Sequence, residues 1–336
     1  MKPKCTTGEL IELEKKYGAH NYHPLPVVLE RGKGVFVWDI NGKRYYDFLS
    51  AYSAVNQGHC HPAIVKAITE QAKKLALTSR AFYNNALGEY EKYITSYFGY
   101  DKVLPMNTGA EAVETALKLC RKWGYKKKKI AKNKVKIIAC HGNFHGRTIT
   151  IVSMSSDPEA RNDYGPYTPG IELIPYNDIP ALKKALQDRN VAGFLVEPIQ
   201  GEAGVVVPDA GYLSAAAELC SNADVLFIAD EVQTGIARTG KLLACAHEKV
   251  KPDLLILGKA LSGGMYPVSA VLASNEVMLC IQPNEHGSTF GGNPLAARIA
   301  IAALEVVKNE KLADNAGAMG EIFRTELKKI KSDRIE

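Results

Sequence analysis

Lys259 follows an apolar run at 254–257, one residue past Gly258 and just before Ser262, Gly263 and Gly264. The run predicts a buried parallel strand, and burying an unpaired ammonium group is costly. A lysine there is therefore expected to have a chemical task, because an α/β sheet binds its ligands at the carboxyl ends of its strands. Five other segments carry groups that could share it. At 106–111 (MNTGAE) a strand end runs into a helix start, whose free N–H groups and dipole suit a phosphate. Thr108-Gly109 would equally serve as a plain cap. At 225–231 an apolar strand delivers two adjacent acids, Asp230 and Glu231, and strand alternation lets one face a site while the other caps or pairs. The loop 141–147 (HGNFHGR) offers an aromatic face and an arginine, and 197–202 (EPIQGE) adds two carboxylates. Finally, 287–294 (GSTFGGNP) sets hydroxyls in a glycine-rich loop before a helix.

A lysine, a lone acid, an aromatic ring, an arginine and two phosphate-binding loops together match what pyridoxal phosphate requires. The lysine would form a Schiff base with the aldehyde, and a desolvated amine gives up its proton more readily. A carboxylate facing the pyridine nitrogen would keep the ring an electron sink. The aromatic would cover the ring face, and the arginine would hold a substrate carboxylate bidentately. A metal is not expected. His141 and His145 are four apart but lack the glutamate of an H-E-x-x-H helix, and His59-Cys60-His61 precedes Pro62 as a turn leading into a helix.

Composition sets the frame. With 336 residues and 46 % hydrophobic content, the chain can build a large core, or one large and one small domain. The net charge of +6 comes largely from local lysine runs such as 126–129, so no nucleic-acid partner is implied. Seven cysteines without a C-x-x-C pair predict reduced thiols inside a cell. No apolar run approaches a membrane span. The N-terminal stretch mixes acids with bases, which fits neither a secretory signal nor a transit peptide. Cytoplasm is the expected compartment, or the mitochondrial matrix if an upstream targeting segment has been removed.

The elements that would position these groups can be read from periodicity and turn signals. A hairpin is expected around the turn 39–42, flanked by 35–38 and 44–46. Helices follow at 63–77 and 87–98. From residue 103 strands alternate with helices, as in a mostly parallel sheet covered on both faces. The strands are expected at 103–106, 135–140, 150–154, 193–196, 225–229, 254–257 and 267–273. Helices are expected at 110–123 and 211–220, from Pro294 onward, and at 311–336.

Several blocks resemble the class III, fold-type I aminotransferases that use pyridoxal phosphate: YGAHNYHPLPVVLERGKGVFVWD, FLSAYSAVNQGHCHP, MNTGAEAVETALKLCRKWGY, VEPIQGEAGVVVP, ADEVQTGIARTG, GKALSGGMYPVSAVL and EHGSTFGGNPLA. The likeness runs from Tyr17 to the end and is strongest to members acting on ornithine. It implies a large cofactor-binding α/β domain at 61–295 and a small domain built from 1–60 and 296–336. The family continues past the position of Glu336 with a segment that completes the small domain and adds a second substrate arginine, so this chain is expected to be incomplete.

By position, the resemblance makes Lys259 the Schiff-base lysine and proton shuttle. Asp230 would partner the pyridine nitrogen, Gln233 the phenolic oxygen, and Phe144 would stack on the ring. Gly109 and Ala110 would hold the phosphate, with Thr289 and Ser288 reaching in from a second subunit of a homodimer. Arg147 would bind the α-carboxylate of 2-oxoglutarate, Tyr22 and Tyr52 would line the ornithine end, and Glu202 would act as a gate. Some relatives have a large aromatic in place of His145, a departure expected to affect ring packing only slightly. The implied reaction transfers the δ-amino group of L-ornithine to 2-oxoglutarate by a ping-pong cycle. N-acetylornithine or 4-aminobutyrate as donor stays open on the same core, as does a catalytically incomplete fragment that binds cofactor or dimerises.

Overall fold

The computed structural model describes residues 5–332. Two sheets organise it. A small antiparallel sheet contains β1 (Leu29–Lys33), β2 (Phe36–Asp39) and β3 (Arg44–Tyr46) in that order. The hairpin between β2 and β3 is held by Asp39, whose carboxylate accepts from the N–H groups of Asn41 and Lys43 and from the Tyr45 hydroxyl, each at 2.9 Å.

The main sheet has seven strands: β4 (Lys102–Met106), β5 (Lys136–Cys140), β6 (Ile171–Ile174), β7 (Val191–Val196), β8 (Leu226–Asp230), β9 (Leu254–Leu257) and β10 (Ser269–Ala273). They lie in the order β4-β10-β9-β8-β7-β5-β6. Strands β6, β5, β7, β8 and β9 pair in parallel, while β10 runs antiparallel to both β9 and β4. Every residue of β7, β8, β9 and β10 is buried, which is why these strands read as unbroken apolar runs.

The Gly109–Lys126 helix covers one face of the sheet. It starts in a capping box, with Thr108 Oγ1 accepting from the Glu111 N–H and the Glu111 carboxylate reaching back. Its apolar stripe packs close. A side chain on Gly193 of β7 would put its Cβ 2.5 Å from Cys120 Sγ, so helix and sheet could not approach this closely with any other residue there. On the other face, the Leu87–Phe98 and Pro294–Asn309 helices pack over Leu255, Leu257, Ala270 and Leu272, and the Ile179–Ala185 and Tyr212–Asn222 helices pack over Ile138, Phe194, Phe227 and Ala229. Pro294 stands in the first turn of its helix, and Asn293 caps it by accepting from the Ala296 N–H at 2.8 Å.

Several expectations need correction. Residues 150–154 do not form a strand: Ile149–Val152 is a short helix, with Ile151 and Met154 in the core. A short apolar run carries no period that separates a strand from a buried helical turn. Strands β1 and β6 were not expected, and both are short and partly exposed. The 63–77 helix spans Pro62–Ala72, and the 311–336 helix spans Leu312–Leu327. Residues 333–336 of the latter lie outside the described residues, as do residues 1–4 of the expected N-terminal segment.

Candidate active site

The carboxyl ends of β5, β7, β8 and β9 deliver their following residues to one cavity of about 200 Å³. It is lined by Lys259, Asp230, Gly109, Ala110, Phe144 and Gln233, all anticipated, and also by His145, Glu197, Val232 and Thr234. A second hollow of about 350 Å³ adjoins it, with Lys259 and Gly109 in both linings. The lysine therefore lines two adjoining spaces.

Local backbone explains its placement. Lys259 has φ +44°, a left-handed conformation that is costly for a side chain of this kind. The chain then turns sharply through Gly263 (φ +60°) and Gly264 (φ +77°). Cβ atoms there would lie 2.4 Å from Ile64 and 2.3 Å from Val55, so these glycines are required by both dihedral and space. Burial lowers the Lys259 pKa, although Asp230, Glu202 and Glu197 pull the other way. The neutral amine needed for nucleophilic attack is thus more populated than on a surface lysine.

The two acids ending β8 divide as strand alternation requires. Glu231 is wholly buried and turned away from the cavity. It accepts from the N–H groups of Ala244 (3.0 Å) and Cys245 (2.8 Å) and from the Thr234 hydroxyl (2.5 Å). Asp230 lines the cavity. Its Oδ1 accepts from the Val232 N–H at 3.1 Å and its Oδ2 lies 2.6 Å from His145 Nδ1. His145 thus does more than adjust ring packing: it is the direct partner of Asp230. Burial pulls the His145 pKa down, but the hydrogen bond and charge of Asp230, with Glu197, outweigh it and hold the pKa above the ordinary value. Burial pushes the third member, Glu197, up to about 7, with His145 opposing and Asp230 adding to the rise. Glu197 Oε1 also accepts from the Phe144 N–H at 2.8 Å, fixing the loop that carries the ring.

These groups suit pyridoxal phosphate on three counts. His145 Nε2 is buried without a partner among the described residues, in a lining that a ligand would complete. The capping box occupies the N–H groups of Asn107, Thr108 and Glu111, leaving those of Gly109 and Ala110 for a phosphate at the helix N-terminus. Phe144 and Val232 supply apolar wall for a flat ring, with the Asp230 carboxylate available to a ring N–H.

Other anticipated residues are placed differently. Arg147 is exposed, its guanidinium 5.3 Å from the Phe144 ring centre. Glu202 is exposed and accepts from Gln233 Nε2 at 3.3 Å. Ser288 Oγ accepts from Asn107 Nδ2 at 2.8 Å within the same chain, while Thr289 is exposed. Tyr22 is 76 % exposed and lines a separate hollow beside the Thr7–Tyr17 helix; Tyr52 is 51 % exposed. His145 and Glu197 both lie within segments read from the sequence as site-bearing (141–147 and 197–202), but their roles rest on contacts among those segments and β8 that the sequence alone does not show.

An amine-bearing strand end beside a carboxylate, on a sheet of this order, is the site of a pyridoxal-phosphate enzyme of fold type I. The chain belongs to the class-III aminotransferase family, whose profile matches residues 17–336. It is 67 % identical over 322 residues to the mitochondrial ornithine aminotransferase of Drosophila ananassae, covering 96 % of this chain and 74 % of that protein. The crystal structure of ornithine aminotransferase from Toxoplasma gondii superposes with a TM-score of 0.97 at 51 % identity, covering 99 % of this chain and 79 % of that one. Acetylornithine aminotransferase from Elizabethkingia anophelis is 63 % identical, with a TM-score of 0.88 and coverage of 97 % and 79 %.

Proposed function

We propose that this chain transfers the δ-amino group of L-ornithine to 2-oxoglutarate, giving glutamate 5-semialdehyde and glutamate in a ping-pong cycle. The observation that carries the chemistry is Lys259, desolvated at the end of β9 and sharing one cavity with the His145-supported Asp230. The ornithine aminotransferases among its relatives support the choice of donor.

Bound pyridoxal phosphate supplies an aldehyde for the amine and a protonated ring that stabilises negative charge. Lys259 Nζ holds the cofactor between turnovers, then moves the proton from the substrate carbon that bears the amine. Asp230 keeps the proton on the ring nitrogen, and His145, hydrogen-bonded to its Oδ2, keeps Asp230 oriented. Phe144 and Val232 exclude water from the ring, and Gln233 meets its phenolic oxygen. Gly109 and Ala110 bind the phosphate through their N–H groups. Arg147 pairs with the α-carboxylate of 2-oxoglutarate or glutamate, and Glu202, hydrogen-bonded to Gln233, acts as a gate beside the ornithine end. Tyr22 and Tyr52 receive the α-amino end of ornithine.

The working unit in this reading is a homodimer. Its support is the exposure of Thr289, Tyr22 and Tyr52, together with Leu25 and Phe48 at 81 % and 87 % exposure. A second copy packed on this surface would cover these exposed groups and could bring Thr289 to its phosphate loop. No helix among the described residues is long and apolar enough to cross a membrane. Seven free cysteines and the mitochondrial relatives fit a reducing interior, either the cytoplasm or the mitochondrial matrix. The test is an amine-donor panel of ornithine, N-acetylornithine and 4-aminobutyrate with 2-oxoglutarate. Ornithine is expected to give the highest kcat/KM; preference for either of the others would overturn the donor assignment.

A further inference from the structure

The loop that carries Ser288 and Thr289 is tied to the Gly109–Lys126 helix by hydrogen bonds whose direction is fixed. Thr115 Oγ1, wholly buried, donates to the Glu111 carbonyl at 2.7 Å. Toward His286 Nε2, 2.8 Å away, it can only accept. The ring proton therefore sits on Nε2, which leaves Nδ1 to accept from Lys118 Nζ at 2.8 Å. The chain runs Lys118 to His286 to Thr115 to Glu111 and permits one neutral tautomer. Burial, then the Lys118 charge, pushes the His286 pKa below its ordinary value, against a smaller pull from Glu111. Lys122 and Glu285 form an ion pair beside it. Nearer the helix start, Asn107 Nδ2 donates both to Ser288 Oγ and to Glu111 Oε2, each at 2.8 Å. Glu111 is the node. Its carbonyl ends the His286 chain, and its carboxylate caps the helix whose Gly109 and Ala110 N–H groups face the cavity.

We propose that His286 is a positioning residue for the phosphate end of the cofactor site, clamping the Ser288–Thr289 loop to the phosphate-binding helix. The inference rests on the pyridoxal-phosphate reading of that site, and holds whichever subunit's phosphate Thr289 meets. The clamp is closed at neutral pH and above. On acidification below the ordinary imidazole range, Nδ1 acquires a proton facing the Lys118 ammonium. An acceptor is lost and a like charge gained, so the loop releases.

Apoprotein titrated with pyridoxal phosphate, followed by absorbance, gives the affinity; dilution of holoprotein from pH 5 to 8 gives the release rate. His286→Phe is expected to weaken affinity about tenfold, with the KM for the amine donor changed less than about twofold. His286→Gln, whose amide can donate to Thr115 and accept from Lys118, should recover the affinity yet lose the acid acceleration of release. Thr115→Val and Lys118→Met should each weaken binding about threefold. Wild-type affinity in His286→Phe overturns the proposal. If that variant does not fold, wild-type affinity in both Thr115→Val and Lys118→Met overturns it, as does an unchanged acid response in His286→Gln. Failure of the unmutated apoprotein to take up pyridoxal phosphate would fault the cofactor reading itself, a separate result.

Discussion

His145 Nδ1 lies 2.6 Å from Asp230 Oδ2, with both side chains almost wholly shielded from water. The pair fixes which way Asp230 faces, so that its carboxylate is held in the lining of the cavity that also contains Lys259. Asp230→Asn should therefore keep the fold and much of the cofactor while lowering kcat by on the order of 3 kcal/mol in the barrier, about a hundredfold. His145→Phe removes the support but leaves the carboxylate, so its loss should be smaller, about tenfold. Stopped-flow half-reactions with ornithine check both. Near-normal kcat in Asp230→Asn would remove Asp230 from the mechanism.

Lys259 should hold the cofactor covalently. Borohydride treatment of the yellow holoprotein should fix the label on the peptide containing Lys259, and Lys259→Ala should bind cofactor without that link and lose most turnover. Peptide mapping decides it, and a label on another lysine refutes the assignment.

Glu197, raised by burial to about 7, makes apoprotein stability depend on pH. A carboxyl whose folded pKa lies above its unfolded value stabilises most below the unfolded value, near 4.5, and the contribution is lost as pH rises through about 7. Wild-type apoprotein should lose on the order of 2–3 kcal/mol across that window from this group, and Glu197→Gln should flatten the decline. Denaturant unfolding at pH 4.5 and 8 measures both, and parallel profiles would contradict the linkage.

Glu231 should matter to stability without touching the chemistry. Glu231→Ala strands the buried N–H groups of Ala244 and Cys245 and the Thr234 hydroxyl. A cost of about 3 kcal/mol is expected, seen as a drop in Tm, with kcat of the surviving folded fraction unchanged. A fall in kcat at unchanged Tm would show that the acid acts in the site.

Thr289 should act across a subunit boundary. Mixing Thr289→Ala with Lys259→Ala subunits creates heterodimers with one intact site, so at limiting cofactor the mixture should recover activity, up to about a quarter of wild-type sites by random pairing. No gain on mixing would place Thr289 in its own subunit's site.

The sequence was most legible where burial is two-sided. β7, β8 and β9 are unbroken apolar runs because both their faces are covered, and each run ends on the residue or loop that enters the cavity. It was least legible where the elements are short or at an edge. β6 reads Ile-Glu-Leu-Ile and β1 contains Glu, Arg, Gly and Lys, compositions that tell little apart from loop. Ile149–Val152 carries β-branched residues, yet tertiary packing makes it a helical turn. In the site, strand alternation separated Asp230 from Glu231 without saying which faced inward. The roles of His145 and Glu197 depended on contacts between loops 53 and 85 residues apart, which no local pattern encodes.

The reversed strand β10 also bears on how the chain folds. β9 and β10 are successive in sequence and directly paired, joined by the segment that carries Lys259, whereas each parallel pair of the sheet needs a longer crossover. Closing that antiparallel hairpin spends the least chain entropy of any pairing in the sheet. Amides of β9 and β10 should therefore gain protection ahead of those of β5 and β7 in pulse-labelled hydrogen exchange during refolding; the reverse order would count against this sequence of events. The turn holding the reactive amine would then be set before the groups that complete its surroundings arrive.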